Sequence, residues 1–163
     1  MTTEEAIVKT FGGKLRIRVS GLLIENDKCL MIEHHSINEA GNFWGPPGGG
    51  LNYAQSIDQA LKQEFLEECG IEISVNRFLF FNEFLEPPLH AIELFYEVKK
   101  LSGNIRMGFD PELSADNQII KKLDYLRLQQ IQQLPKGCRH SFFDRAKDWS
   151  GILGLNGHLK NDL

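Results

Sequence analysis

Leu15, Ile17 and Val19 alternate with Arg16, Arg18 and Ser20, a period of two that predicts a strand with one buried face. The apolar run continues through Leu22, Leu23 and Ile24, breaks at Glu25-Asn26-Asp27-Lys28 and resumes over Cys29 to Ile32. A hairpin is the simplest reading of that break. Two prolines and four glycines punctuate residues 43–50, which predicts an irregular loop with a demanding backbone. The clearest helix follows. Ser56 and Gln59 form a capping-box pattern, Ile57, Ala60, Leu61, Phe65 and Cys69 recur at helical spacing, and Gly70 supplies the stop. Residues 71–75 and 78–85 read as strands, Pro87-Pro88 interrupts, and 90–99 resumes with Ala91, Glu93 and Phe95 alternating against Ile92, Leu94 and Tyr96. The polar stretch 102–118 is loop-like, a length uncommon without a function. A last strand is expected over 119–128, then a short helix before Pro135 and a terminal helix over 141–149. This order predicts an α/β (α+β) fold, a mixed sheet with helices packed on its faces.

The chain has 163 residues, enough for a single domain over 1–163 with a core that needs no staples. Its formal charge of −4 argues against a nucleic-acid polymer as main partner, since such binders carry a strong positive balance. The three cysteines, Cys29, Cys69 and Cys138, are too few and scattered for a disulfide framework or a paired-cysteine metal site, and they fit a reducing compartment. The opening MTTEEAIVKT lacks a basic stretch followed by an apolar one, and no apolar run approaches the ~20 residues of a membrane span. The expectation is a cytoplasmic protein with no membrane partner.

Glu64, Glu67 and Glu68 stand at i, i+3 and i+4 of the predicted helix and share one face. Three glutamates on a helix ordinarily mark a solvated surface. Here, however, Glu64 projects about 20° from Ile57 and Glu68 about 20° from Leu61, so the carboxylates overlie the side that buries apolar residues. Like charges at i, i+4 repel, negative charge near a helix C-terminus opposes the macrodipole, and partial burial adds to both costs. Lys62 projects about 160° away from Glu64 and offers no compensation. A divalent cation resolves all three costs, and an oxygen-only ligand set favours Mg²⁺, Mn²⁺ or Ca²⁺ over zinc. Ahead of the helix, Gly48, Gly49 and Gly50 permit close backbone approach, so a main-chain carbonyl can join the metal.

Residues 48–71, GGGLNYAQSIDQALKQEFLEECGI, resemble the Nudix box, G-x5-E-x7-R-E-U-x-E-E-x-G-U with U a bulky apolar residue. The match runs from Gly49 through Glu64, Phe65, Glu67, Glu68 and Gly70 to Ile71, and Trp44, Pro47 and Gly48 are also what such proteins tend to have. Two positions depart: Gln55 stands where the family has glutamate and Gln63 where it has arginine, a pair that ties loop to helix. Both substitutes are neutral, so no unpaired charge remains, and two glutamines can bond across the same gap. The resemblance implies the Nudix fold, a mixed β-sheet sandwiched between helices, and hydrolysis of a phosphoanhydride in a small nucleotide substrate. It further implies that Glu64, Glu67 and Glu68, with the Gly48 carbonyl, coordinate Mg²⁺, with Mn²⁺ a substitute, and that a homodimer would not be unusual.

A general base is expected to be a carboxylate, within the cluster or from the long loop, where Glu112 is the first candidate with Asp110 and Asp116 behind it. Arg16 and Arg18 share one face of the first strand, where they would be solvent-facing or would grip phosphate with their bidentate forks. Trp44 would seal the core or stack on a base, and His34, His35 and His90 are expected at the surface. The favoured substrate is a nucleoside diphosphate linked to another moiety, of ADP-ribose or nucleotide-sugar type. A nucleoside triphosphate pyrophosphohydrolase and a non-catalytic nucleotide-sensing Nudix module stay open, as does a structural metal-binding domain.

Overall fold

The computed structural model describes residues 1–35 and 41–160. Helix α1 (Thr3–Phe11) opens on a complete capping box. The Thr2 hydroxyl accepts from the Glu5 N–H at 3.1 Å, and the Glu5 carboxylate accepts from the Thr2 N–H at 2.7 Å. The hydrophobic pattern does not mark this helix, and Thr2-x-x-Glu5 is its signal in the sequence. Ala6, Ile7 and Phe11 bury its inner face with Leu113.

Strands β1 (Leu15–Glu25) and β2 (Lys28–His35) form the expected hairpin, with Ile24 opposite Cys29 and Glu25 opposite Lys28. Asn26 and Asp27 turn it at φ of 50° and 62°, the left-handed pair that matches strand twist and that these residue types tolerate. The segment 43–50 departs from the expectation of irregular structure. Its two ends are short strands, β3 (Asn42–Gly45) on β2 and β4 (Gly48–Gly50) on β1. Pro46 and Pro47 fall between the strands, where no ladder N–H is needed, so the prolines separate two pairings without preventing either.

Helix α2 (Ile57–Cys69) has the predicted start and stop: Ser56 and Gln59 exchange capping bonds, and Gly70 caps the end at φ 71°. Strands β5 (Glu72–Glu86) and β6 (Leu89–Ser102) form a long hairpin closed by Pro87-Pro88, whose peptide bond is cis. The expected strands 71–75 and 78–85 are thus one. Register shifts between Val75 and Arg77 and between Phe78 and Phe80 break the alternation that made the strand look double. Strand β7 (Ile120–Leu126) pairs with β2, and α3 (Leu128–Gln133) lies before Pro135 as expected. The expected helix over 141–149 is instead a 3-10 turn at Ser141–Arg145 followed by α4 (Trp149–Leu153). Phe142 and Phe143 both enter the core, and Asp148, in extended conformation, starts a separate helix by accepting the Gly151 N–H. A two-residue strand β8 (Gly157–His158), too short to leave a sequence period, runs parallel to β5.

The sheet order is β3-β2-β1-β6-β5-β8, with β4 beside β1 and β7 beside β2. β1 runs parallel to β6 and β8 to β5, the other ladders being antiparallel, so the sheet is mixed. Alternation along the strands feeds two cores. Val19, Leu23, Leu30, Ile32, Ile73 and Val98 meet Ala60, Leu61, Phe65 and Cys69 of α2 on one face. On the other, Leu22, Cys29, Met31, Phe80 and Phe95 meet α3, α4 and the 3-10 turn through Ile131, Phe142, Phe143 and Ile152. Helices on both faces of a mixed sheet is the α/β (α+β) layering that the element order predicts. Among the described residues no helix is long and apolar enough to cross a membrane.

Candidate functional site

Helix α2 carries Glu64 and Glu68 against the glycine strand β4, with Glu67 beside them on the same helix. Glu68 is 5% exposed, and one of its oxygens accepts the Gly48 N–H at 3.1 Å. Glu64 lies against Gly49 so closely that a Cβ there would stand 2.3 Å from a carboxyl oxygen and 2.5 Å from Cδ. Only glycine leaves that carboxyl group its place. Glu67 accepts from Gln63 Nε2 at 2.7 Å through one oxygen, while its other oxygen is buried with no hydrogen-bond partner among the described residues. Among the described residues no three His, Cys, Asp or Glu side chains stand grouped so that they could hold a metal ion as they are placed.

Gln55 and Gln63 do meet: Gln55 Nε2 donates to Gln63 Oε1 at 2.8 Å, and Gln55 Oε1 accepts the Asn52 N–H at 3.2 Å. A neutral relay therefore runs from the loop through both glutamines to Glu67. Neutral hydrogen bonds hold less firmly than charge-assisted ones. The double substitution Gln55→Glu with Gln63→Arg is expected to raise metal affinity or kcat several-fold, on the order of 1 kcal/mol. Steady-state kinetics at limiting Mg²⁺ checks this, and a double variant no better than its parent disproves the anchoring role.

Burial, then the charge of Glu67, pushes the Glu64 carboxyl up to about 7. Burial, then the charge of Glu64, pushes Glu68 well above the usual carboxylate range. Arg18 opposes both shifts. The linkage has a definite sign. Between the ordinary glutamate value and about 7 the folded chain holds protons that the unfolded chain has released, so stability falls as pH rises through that window. For Glu64 the loss is on the order of 3 kcal/mol. Thermal unfolding in EDTA from about pH 5 to about pH 8 should show Tm declining more steeply in the parent than in Glu64→Gln. Equal slopes would contradict the burial of this charge.

The polar stretch 102–118 folds back on the C-terminus of α2. The N–H groups of Arg106, Gly108 and Phe109 donate to the carbonyls of Cys69, Glu68 and Glu67 at 2.9, 2.8 and 3.3 Å, which supplies the partners a helix end otherwise lacks. A Cβ on Gly108 would stand 1.6 Å from the Glu67 carbonyl oxygen, so this close approach also requires glycine. The clamp brings two of the three loop carboxylates to the cluster. Asp110 raises both Glu64 and Glu68, and Glu112 raises Glu64. Glu112 is exposed, with its N–H bonded to Asp110 Oδ1 at 2.9 Å, while Asp116 sits exposed in the 3-10 turn Ala115–Asn117.

Arg16 and Arg18 are half-buried rather than solvent-facing. The Arg16 guanidinium lies 4.2 Å from the Phe11 ring centre, and burial followed by the charge of Arg18 lowers it to about 10. Arg18 acts on Glu64, Glu68 and Glu93 alike, and its Nε is buried without a partner among the described residues. His34 also departs from the surface expectation. It is half-buried near Arg18, and burial, then that charge, lowers it to about 4. His35 and His90 pair instead with Glu4 at 2.6 Å and Glu83 at 3.5 Å. Trp44 packs half-buried against the core cluster of Phe95 and Phe142, with Lys122 Nζ 6.0 Å from its ring centre. Glu93 stands opposite Arg18 on β6, with Asn82 of β5 on its other side and His140 against its carboxyl group, and none of the three was singled out from the sequence. Glu93 gave a signal, since it shares the inward parity of Ala91 and Phe95.

A NUDIX domain is matched over residues 14–142, from β1 to the last 3-10 turn. The ADP-ribose pyrophosphatase of Methanocaldococcus jannaschii is 25% identical over 125 residues, which cover 68% of this chain and 73% of that protein. Among solved structures, a NUDIX hydrolase from Nitrosomonas europaea superposes with a TM-score of 0.63 at 18% identity, covering 78% of this chain and 82% of its own. A MutT NUDIX hydrolase from Burkholderia pseudomallei gives 0.57 at 23% identity, covering 76% and 88%. With the domain match spanning the glycine strand, the glutamate helix and the sheet that carries both, the chain belongs to the Nudix hydrolase family.

Proposed function

We propose that this chain hydrolyses the phosphoanhydride bond of a nucleoside diphosphate linked to another moiety, of ADP-ribose or nucleotide-sugar type, releasing a nucleoside monophosphate and a phosphorylated X group. The observation that carries the reading is the set of three glutamates on one face of α2, two of them against β4 and forced above their ordinary range and the third with a buried oxygen that has no partner among the described residues. An oxygen-only donor set of this charge fits Mg²⁺ or Mn²⁺. The likeness to an ADP-ribose pyrophosphatase supports the substrate class.

In this reading Glu64, Glu67 and Glu68 hold the metal together with the Gly48 carbonyl. When bound, the metal supplies charge neutralisation on phosphate and a lowered pKa for the attacking water. The Gln55–Gln63 relay keeps Glu67 in place. Arg16 and Arg18 bind the diphosphate, their partial burial strengthening each contact. The Glu112 carboxylate accepts the proton of the attacking water, with Asp110 beside it to hold the loop through the Glu112 N–H. The free cysteines Cys29, Cys69 and Cys138 suit a reducing, cytoplasmic setting.

The test is a Mg²⁺-dependent hydrolysis screen over nucleoside diphosphate sugars, ADP-ribose, dinucleotides and nucleoside triphosphates, with products separated by anion exchange. Nucleoside monophosphate from the diphosphate-linked substrates, stopped by EDTA, is expected. Pyrophosphate release from triphosphates alone would select a triphosphate pyrophosphohydrolase, and nucleotide binding without turnover a sensing module. Replacing Glu112 by Gln should lower kcat about a hundredfold with KM little changed, as loss of a general base does. Unaltered kcat across the pH range would remove Glu112 from that role.

A further inference from the structure

The polar stretch 102–118 is pinned at both ends. Its first leg reaches the carbonyls of α2 through Phe109, and its last leg enters β7, where the His35 N–H donates to the Ile119 carbonyl at 2.7 Å. Between these anchors lie Asp110 and Glu112. Burial and the charge of Arg18 lower the Arg16 guanidinium, and Glu112 and Asp110 oppose that shift. Both carboxylates therefore stand within electrostatic reach of Arg16 as well as of Glu64.

Asp110-Pro111-Glu112-Leu113 is a four-residue turn. The Leu113 N–H donates to the Asp110 carbonyl at 3.2 Å and the Glu112 N–H to Asp110 Oδ1 at 2.9 Å. Proline at the second position, with its fixed φ, and aspartate at the first suit that geometry. Glu112 is the third residue, so the placement of Asp110 decides where Glu112 stands. One side chain holds Asp110. Gln118 Oε1 accepts the Asp110 N–H at 2.6 Å, and Gln118 Nε2 donates to the Asp110 carbonyl at 2.8 Å. Nε2 also donates to the Leu113 carbonyl at 2.9 Å and reaches that of Ser114 at 3.3 Å. The amide thus satisfies both backbone groups of Asp110, as a paired strand would. Among the described residues the other hydrogen bonds inside 110–118 reach three residues or fewer, so Gln118 is what joins the two legs.

The turn also has a seat. Leu113, 8% exposed, packs against Ala6, Ile7 and Phe11 of α1, and the Phe11 ring carries Arg16. Helix α1 precedes the residues matched by the NUDIX domain. We propose that Gln118 is a positioning residue for hydrolysis, the buckle that holds the Asp110 turn on its α1 seat and so presents Glu112 to the site. That role rests on Glu112 being the proton acceptor. Glutamine suits the place because it meets an N–H and two carbonyls at once, whereas a carboxylate would set its second oxygen against those carbonyls.

Gln118→Ala and Gln118→Glu, each alone and combined with Glu112→Gln, test this with ADP-ribose and Mg²⁺, or with whichever screened nucleotide is turned over. Gln118→Ala should lower kcat about tenfold or more with KM within about twofold, the mark of a misplaced reacting group. Gln118→Glu should fall as far, since shape alone does not make the donor bonds, and it carries the test where Gln118→Ala does not fold. In the Glu112→Gln background the further loss should shrink to within about twofold, because residues that act as a unit do not multiply. Exchange followed by nuclear magnetic resonance should show the Asp110 amide opening at least about tenfold faster in the Gln118 variants, with the Gly108 amide at its parental rate. Parental kcat in either folded Gln118 variant, a loss confined to KM, losses that multiply with Glu112→Gln, or an unchanged Asp110 amide overturns the proposal while Glu112 stays the base. Glu112→Gln at parental kcat, or no turnover of any nucleotide by the parent, removes the base and the positioning role together.

Discussion

Replacing Glu67 by glutamine should lower kcat by about a thousandfold, roughly 4 kcal/mol of transition-state stabilisation, while leaving the fold in place. Its two oxygens stand in different surroundings. One already accepts from Gln63 at 2.7 Å, and a glutamine oxygen can keep that bond. The other is buried without a partner among the described residues, so the fold gains nothing from its charge. Removing the charge also relieves Glu64, whose carboxyl Glu67 pushes upward. The metal-free variant should therefore melt at or slightly above the parental temperature while turnover collapses. Activity within tenfold of the parent would show that Glu67 is only a helix-surface glutamate. Loss of folding would show that its charge is structural.

Gly49→Ala makes a sharper demand on the same geometry. The added Cβ would fall 2.3 Å from a Glu64 oxygen, and Gly49 is not among the glycines with positive φ, so the backbone accepts alanine while the carboxyl group must move. A displacement of about 1 Å in a reacting constellation costs on the order of a hundredfold. The expected result is a hundredfold fall in kcat/KM at fixed Mg²⁺, partly recovered at higher metal concentration, with Tm lowered by only a few degrees. Parental kinetics in this variant would mean that Glu64 does not act from beside β4.

Much of this site was legible from local signals. The capping residues Ser56 and Gln59, the stop at Gly70 and the i, i+3, i+4 glutamates all act within one helix, so α2 and its acidic face follow from adjacent residues. The β1–β2 hairpin follows from Asn26-Asp27 in the same way. What escaped depends on partners distant in the chain. The strand character of β3 and β4 comes from β2 and β1, not from an alternating pattern of their own. The continuity of β5 is hidden by its bulges. The loop clamp on α2 is made by backbone N–H groups, which carry no residue signature beyond Gly108. Asn82, Glu93 and His140 meet only because β5, β6 and the segment after α3 converge, and only the inward parity of Glu93 hinted at it. His34 looked like a surface residue because the half-burial of a strand end depends on what packs over it.

The central claim is that Glu64, Glu67 and Glu68 together bind a divalent cation, and titration with Mn²⁺ followed by electron paramagnetic resonance reads it without substrate or turnover. Saturable binding in the parent protein is predicted, weakened at least about tenfold in Glu67→Gln and lost when all three glutamates are replaced by glutamine. An identical isotherm for the folded triple variant, or no bound Mn²⁺ in the parent even with nucleotide added, would contradict the account.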